Sequence, residues 1–156
     1  MILVGIDVAK NKHDCLIINS DGEILANSFI IPNSSEGFQT LYDKIRSCSK
    51  NDSQIKIGLE ATGHYSNNIA EFLLNKNFTL FIINPLHTNL YRKSQSFRKT
   101  KTDKLDTLTI CSMLQTQKLT PYAPVSYHSL ELKSLTRYRF RLVDECSKLK
   151  VSFRRI

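Results

Sequence analysis

No run of apolar residues in this 156-residue chain approaches the ~20 that a helix needs to span a lipid bilayer. The N-terminal residues also lack the basic start and small-residue cleavage site of a secretory signal peptide. We therefore expect a cytoplasmic protein with no membrane partner. Because 41% of the residues are apolar, the composition does not indicate a disordered chain.

Cysteine is scarce, and its spacing excludes a metal knuckle of the CxxC type. A chain of this length can form a compact domain with a core of its own, plus one further element, without disulfide bonds. We therefore predict reduced thiols that fill core positions. The four cysteines are Cys15, Cys48, Cys111 and Cys146.

Positive charge is distributed unevenly along the chain. Residues 1–90 contain 7 Lys or Arg and 9 Asp or Glu, whereas residues 91–156 contain 15 and 5. The excess that gives the net charge of +8 therefore lies in the second part. A one-sided basic surface favours a polyanionic partner, most often nucleic acid. A basic face that is merely solvated, or a helix at a membrane surface, is the alternative.

Hydrophobic patterning predicts strands and helices in the order β-β-β-α-β-α-β-α. Asp21 and Gly22 suit the tight turn of a hairpin between the second and third strands. The first three strands should form an antiparallel meander, and the fourth should lie parallel to the first after a helical crossover. This is the order of the ribonuclease H-like fold, a mixed five-stranded sheet flanked by helices. The predicted strands are 1–8, 13–19, 23–31, 54–59 and 78–83, and the predicted helices begin near residues 34, 63 and 102.

The C-terminal segment differs from the rest of the chain. Pro121 and Pro124 indicate a linker, so we divide the chain into a ribonuclease H-like α/β domain at 1–120 and a long helix at 126–156. A heptad seam interrupted by one arginine predicts the start of a coiled coil that joins protomers into a homo-oligomer. An amphipathic helix packed on its own domain is the alternative. The seam comprises Leu132, Leu135, Arg139, Leu142, Cys146, Leu149 and Phe153.

Four carboxylates fall where this fold would bring them together. Asp7 lies within an apolar strand, where an unpaired charge is costly, and Glu60 ends another apolar strand. If these strands are parallel neighbours, both acids emerge at the same edge of the sheet. Asp103 and Asp106 are three residues apart at a helix start, so they share one helical face.

Clustered carboxylates repel one another unless divalent cations neutralise them. Oxygen ligands of this kind suit Mg²⁺, or Mn²⁺ as its substitute, and two such ions can clamp the attacking and leaving oxygens of a phosphodiester. We therefore predict a catalytic site with two metal ions. Each acid also has a simpler interpretation on its own, as a turn residue, a helix cap or the partner of a lysine.

Basic residues surround the predicted metal ligands and are candidates for binding nucleic acid. They are Lys10, Lys12, Arg92, Lys93, Arg98, Lys99, Lys101 and Lys104. Exposed lysines after a strand are also common without any such role. Tyr91, Phe97 and Tyr138 lie among basic residues, where they suit either base stacking or core packing.

Four motifs, in order, resemble those of the DEDD transposases, the insertion-sequence recombinases related to the Piv invertase. They are Gly5-Ile6-Asp7-Val8-Ala9-Lys10, Glu60-Ala61-Thr62-Gly63-His64-Tyr65, Ile83-Asn84-Pro85 and Lys101-Thr102-Asp103-Lys104-Leu105-Asp106. The resemblance extends from residue 1 to about residue 155. It implies that Asp7, Glu60, Asp103 and Asp106 are the DEDD metal ligands.

The resemblance also implies an activity and partners. Members cleave and transfer DNA strands, and a structured guide RNA directs them to donor and target DNA. They carry a RuvC-like domain, a coiled coil and a C-terminal domain with a serine nucleophile. We expect that serine domain to be absent from this chain, so the chain alone is not expected to complete the reaction.

Two other functions remain open from the sequence. A Holliday-junction-resolvase-like nuclease would share the fold and the acids, but such a domain would end near Asp106. A non-catalytic module for nucleic-acid binding or assembly would keep its binding when the acids are lost. An actin-like ATPase is excluded, because the turn after Asp7 lacks the small and hydroxyl residues of a phosphate loop.

Overall fold

The computed structural model describes residues 1–49, 51, 54–61, 63–95, 103–124 and 127–153. The described chain divides into two units, 1–122 and 123–156. The first unit contains the strands β1 (Ile2–Val8), β2 (Lys12–Asn19), β3 (Ile24–Pro32), β4 (Ile55–Glu60) and β5 (Thr79–Ile83). It also contains the helices α1 (Ser35–Cys48), α2 (Ser66–Asn75), α3 (Pro85–Gln95) and α4 (Asp103–Thr116). The second unit contains α5 (Tyr127–Phe153).

The five strands form one sheet in the order β3-β2-β1-β4-β5. The pairs β1–β2 and β2–β3 are antiparallel, and the pairs β1–β4 and β4–β5 are parallel. The first strand is therefore central. This confirms the predicted mixed sheet, including the antiparallel meander and the parallel crossover.

The local signals act as the sequence predicts. Gly22 takes a φ of 85° in the β2–β3 turn, a value that favours glycine. The side chain of Asn19 completes this turn by accepting hydrogen bonds from the backbone N–H groups of Asp21 and Glu23, both at 2.9 Å. At the start of α1, the Ser34 hydroxyl accepts from the backbone N–H of Gly37 at 3.3 Å and caps the helix.

The sheet separates two hydrophobic layers. Alternate residues of β1, including Val4 and Ile6, pack with α1 and α2 on one face. Leu3 faces the other way and packs with Cys111 and Leu114 of α4. The α4 helix therefore crosses the opposite face of the sheet over β1, β2 and β4.

One helix was missed by the sequence analysis. Residues 85–95 form α3, which is absent from the elements that the hydrophobic pattern predicts. Pro85 starts the helix, where its missing N–H costs nothing, and the Asn84 side chain accepts from the backbone N–H of Leu86 at 2.9 Å. Leu86 and Leu90 are exposed, so α3 has no continuous apolar stripe that predicts it.

The cysteines in the sheet unit mostly match the expectation. Cys15 and Cys111 are fully buried, and burial raises the pKa of the Cys111 thiol to about 12. Cys48 is partly buried, and Cys146 is exposed on α5. All four are free thiols.

The second unit consists of a single long helix. The apolar seam residues lie on α5, and Leu132, Leu135 and Leu149 are about 60% exposed along it. Among the helices in the described part of the chain, none combines the length and apolarity that a bilayer span requires.

The buried histidine of β2 predicts a pH dependence of stability. His13 is fully buried and stacked on Phe38, and its Nδ1 accepts from the backbone N–H of Ala9 at 3.3 Å. Burial lowers the pKa of His13 below its ordinary 6.5, so the unfolded chain binds a proton at a higher pH than the folded chain. The free energy of unfolding should therefore fall as the pH drops below about 6.5, by up to ~1.4 kcal/mol per pH unit for one proton.

Urea denaturation at pH 7, 6 and 5 measures this effect. His13→Gln should show a smaller loss of stability over this range than the wild type. His64→Gln is the matched control, because His64 is exposed, and it should keep the wild-type pH dependence. The same pH dependence in all three proteins would contradict a role for His13.

Candidate metal and nucleic-acid site

The strand register places Asp7 beside Glu60. Ile6 of β1 pairs with Leu59 of β4, and each acid is the next residue along its strand. Leu59 and Ile6 pack on the face covered by α1 and α2. Since side chains alternate, Asp7 and Glu60 both project toward the face covered by α4.

Two glycines allow α4 to lie close over these strands. A Cβ atom at Gly5 would lie 2.4 Å from the carbonyl oxygen of Thr107, and one at Gly58 would lie 2.6 Å from Cγ2 of Ile110. The missing side chains therefore leave room for the first turns of α4 to lie directly above β1 and β4. Asp106, next to Thr107, is thereby held on the face toward which both strand acids project, and only 7% of it is exposed.

One cavity is lined by an acid from β4 and an acid from α4. Its volume is about 220 Å³, and Glu60 of β4 and Asp106 of α4 both contribute to its wall. The other lining residues, Pro85, Thr88, Asn89 and Arg92, all come from α3. The unpredicted helix thus forms one side of the candidate site.

Asp106 is paired with a cation from α3. The guanidinium of Arg92 donates from Nη1 to the Asp106 carboxylate and from Nη2 to the side-chain oxygen of Asn89, at 3.2 Å in the second case. Arg92 is therefore a neighbour of the acid site, whereas Lys93, the next residue, is exposed.

The other predicted site residues fall into two groups. Lys10 and Lys12 are exposed at the β1–β2 turn, directly after Asp7. Asp103 is the first residue of α4, one turn before Asp106, but its side chain and that of Lys104 lie outside the described residues. Arg98, Lys99 and Lys101 also lie outside them, as does Phe97.

The two remaining aromatic candidates differ in their surroundings. Tyr91 is partly buried, packs near Met113 and shares a hydrogen bond of 3.0 Å with Thr116, which fits the core-packing alternative. Tyr138 is 59% exposed on α5.

Asp14 is a further acid near the site that the sequence analysis did not select. It pairs with Asp7 across the antiparallel β1–β2 ladder, and it is 8% exposed. Leu16 and Ile18, two and four residues later, pack on the α4 side of the sheet, so Asp14 projects to the same face. The available signal is an acid directly before the apolar run of β2, and only the strand register shows that this acid lies opposite Asp7.

The donor chemistry of the site fits a hard divalent cation. Asp7, Glu60 and Asp106 present only carboxylate oxygens, the ligands that Mg²⁺ and Mn²⁺ prefer. Within the residues that the structure describes, no three His, Cys, Asp or Glu side chains lie together in the arrangement of a formed metal site. The described geometry is thus two acids around one cavity, with Asp7 in register beside Glu60.

Comparison with known proteins gives concordant matches. A family model of DEDD transposases of the IS110 type, described as a transposase, matches residues 4–156. Two pilin gene-inverting proteins, from Moraxella bovis and Moraxella lacunata, are each 30% identical over 137 residues, which is 87% of this chain. The chain spans about two fifths of the length of these relatives, 41% in each case.

Solved structures support the same fold. Thermus thermophilus RuvC matches with a TM-score of 0.50 and 10% identity, over 78% of this chain and 100% of RuvC. The structure of the same organism's RuvC in complex with a Holliday junction substrate matches with a TM-score of 0.51 and 8% identity, over 78% of this chain and 99% of that one. At such low identity these matches show the fold alone, which is the predicted RuvC-like fold.

Proposed function

Because this chain belongs to the DEDD transposase family, we propose that it is the metal-dependent catalytic domain of a DNA transposase or site-specific recombinase. The observation that carries the proposal is the meeting of acids from different elements at one face of the sheet. Glu60 and Asp106 line one cavity, and Asp7 lies in register with Glu60. The reaction would be cleavage and transfer of DNA strands at their phosphodiester bonds.

Asp7, Glu60, Asp103 and Asp106 would hold the metal, Mg²⁺ in the cell and Mn²⁺ as a substitute. When bound, two such ions would polarise the scissile phosphate and stabilise the charge on the attacking and leaving oxygens. Asp7 is at the centre of the sheet, with Glu60 on one side and Asp14 on the other, so it is the acid best placed to contact both ions.

The basic residues would bind the nucleic acid around this site. Lys10 and Lys12 follow Asp7 at the same sheet edge and are exposed, so their ammonium groups can reach phosphates that flank the scissile bond. Lys93 is exposed on α3, beside the cavity-lining residues. Together with Arg98, Lys99, Lys101 and Lys104 they would make the affinity for DNA strongly salt-dependent. A structured guide RNA is a second proposed ligand, and its support is the family resemblance.

The family match favours a transposase over a junction resolvase. The structural alignment with RuvC covers 78% of this chain. The transposase family model matches the chain through residue 156 and therefore includes α5. We assign to α5 a role in joining protomers. Its leucines at 132, 135, 142 and 149 follow the heptad spacing, and a second copy of the helix would cover the apolar seam.

Crystals soaked in Mn²⁺ and measured at an anomalous wavelength would test the metal site. We expect a Mn²⁺ peak between Asp7, Glu60 and Asp106. Crystals of Asp7→Asn, soaked in the same way, should lose the peak or show a much weaker one. Ordered acids with no peak in the wild-type crystals would contradict the proposed catalytic function and favour a binding module.

A further inference from the structure

Arg92 occupies the wall of the candidate metal cavity. Its side chain is 29% exposed, and its guanidinium contacts both Asp106 and Asn89, which line the same cavity. Glu60 lies in that wall as well. The sequence alone groups Arg92 with the other basic residues of 92–104, but its contacts are with the acid site.

The pairing supplies a counter-charge to a buried acid. The side chain of Asp106 is only 10% exposed, and a carboxylate so far removed from water is costly unless it is paired. The guanidinium of Arg92 provides that positive charge. A divalent cation would bring its positive charge to the same carboxylate. The guanidinium and the cation would then repel each other at close range and compete for the same oxygens.

We propose that Arg92 is a positioning residue that holds Asp106 toward the cavity in the metal-free protein and is displaced from it when the metal binds. The inference rests on the proposed metal site. Asn89, one turn before Arg92 on α3, gives the guanidinium a second contact that does not involve Asp106. This contact would keep Arg92 at the cavity after it releases the carboxylate.

Competition predicts that removing Arg92 strengthens metal binding. The Mn²⁺ affinity of this chain can be measured from the electron paramagnetic resonance signal of free Mn²⁺. Arg92→Gln should bind Mn²⁺ about tenfold more tightly than the wild type, because loss of one charge-assisted hydrogen bond frees Asp106 for the ion. Lys93→Gln is the matched control, since it removes the same charge from the next, exposed residue, and it should change the affinity by less than about twofold.

Arg92→Lys tests whether tighter Mn²⁺ binding by Arg92→Gln is due to the lost charge or to a change in folding. It keeps the positive charge on a long, unbranched side chain that is only slightly shorter, so it should fold and bind Mn²⁺ nearly as weakly as the wild type. Thermal melting of each variant without metal checks that the fold is intact. If Arg92→Gln fails to fold, Arg92→Met is the second variant: it keeps an unbranched apolar stem, removes the competing charge and should tighten Mn²⁺ binding in the same way.

The outcomes distinguish the inference from the function on which it rests. Equal or weaker Mn²⁺ binding by folded Arg92→Gln, or equally tight binding by Arg92→Lys and Arg92→Gln, would overturn the competition while leaving the metal site in place. An absence of saturable Mn²⁺ binding in the wild type and in every variant would overturn the proposed metal site itself.

Discussion

Replacing Asp7 with asparagine is expected to lower DNA strand cleavage by the complete protein at least about a thousandfold. The substitution preserves the size of the side chain but removes the charge at the centre of the acid cluster. Asp7 lies in register with Glu60 on one side and with Asp14 on the other. Losing this carboxylate should therefore weaken metal binding more than losing an acid at the edge of the cluster.

The effect is measured as nicking of a supercoiled plasmid that carries the DNA sequences flanking the gene of this protein. DNA affinity, measured by fluorescence anisotropy, should change by less than about threefold, because the proposed phosphate contacts are made by basic residues and not by the acid. Asp21→Asn is a charge-matched control. Asp21 is exposed in the β2–β3 turn, after Asn19, which pairs with Ile2 at the opposite end of β1.

If Asp7→Asn cleaves DNA at the same rate as Asp21→Asn, Asp7 is not a catalytic residue. Loss of both cleavage and DNA binding would instead indicate a general disruption of the domain. The two measurements together therefore separate a catalytic acid from a structural one.

The strands and their acids could be predicted because a strand has a short, regular period. An apolar run that ends in a carboxylate gives both the element and the end of the sheet at which its acid lies, as for Glu60. The parallel pairing of β1 with β4 then follows from the helical crossover between them. Asp7 and Glu60 could thus be brought together without any knowledge of the side-chain contacts.

The contribution of α3 could not be predicted in the same way. Its exposed leucines, Leu86 and Leu90, interrupt the pattern of a helix with one apolar face. Pro85 after Asn84 was the usable signal, because this pair can start a helix as well as end a strand. Without α3, the sequence offers no reason to place Arg92 against Asp106, since their contact depends on the packing of two helices.

The register of β2 against β1 is the second feature that could not be predicted from the sequence. A hairpin prediction brings β1 and β2 together, but a shift of one residue would turn every side chain of β2 to the other face. The observed register pairs Asp7 with Asp14, so a fifth acid enters the neighbourhood of the site. The length of the turn between the strands fixes this register, and the strand pattern alone does not give it.

Gly5→Ala is expected to lower the free energy of unfolding by about 3 kcal/mol, at the upper end of the usual cost of overpacking a core. The new Cβ would lie 2.4 Å from the carbonyl oxygen of Thr107 and 2.8 Å from Sγ of Cys111. The nearer of these atoms belongs to the backbone of α4, so it cannot be moved by changing a rotamer. The helix itself must shift away from β1, and Asp106 must move with it.

Gly58→Ala is the control, because its Cβ would meet side-chain atoms of Ile110 and Leu114 and not the backbone. The Leu114 side chain can adjust, but Cγ2 of the fully buried Ile110 branches directly from its Cβ and can move little, so Gly58→Ala should cost about 2 kcal/mol, less than Gly5→Ala. Urea denaturation gives both values. Adding Cys111→Ala to Gly5→Ala should not restore stability, because the closer contact with Thr107 remains. Equal losses of unfolding free energy in the two glycine variants, or rescue by Cys111→Ala, would contradict this prediction. Either result would show that the close contact between the α4 backbone and β1 does not determine the cost of Gly5→Ala.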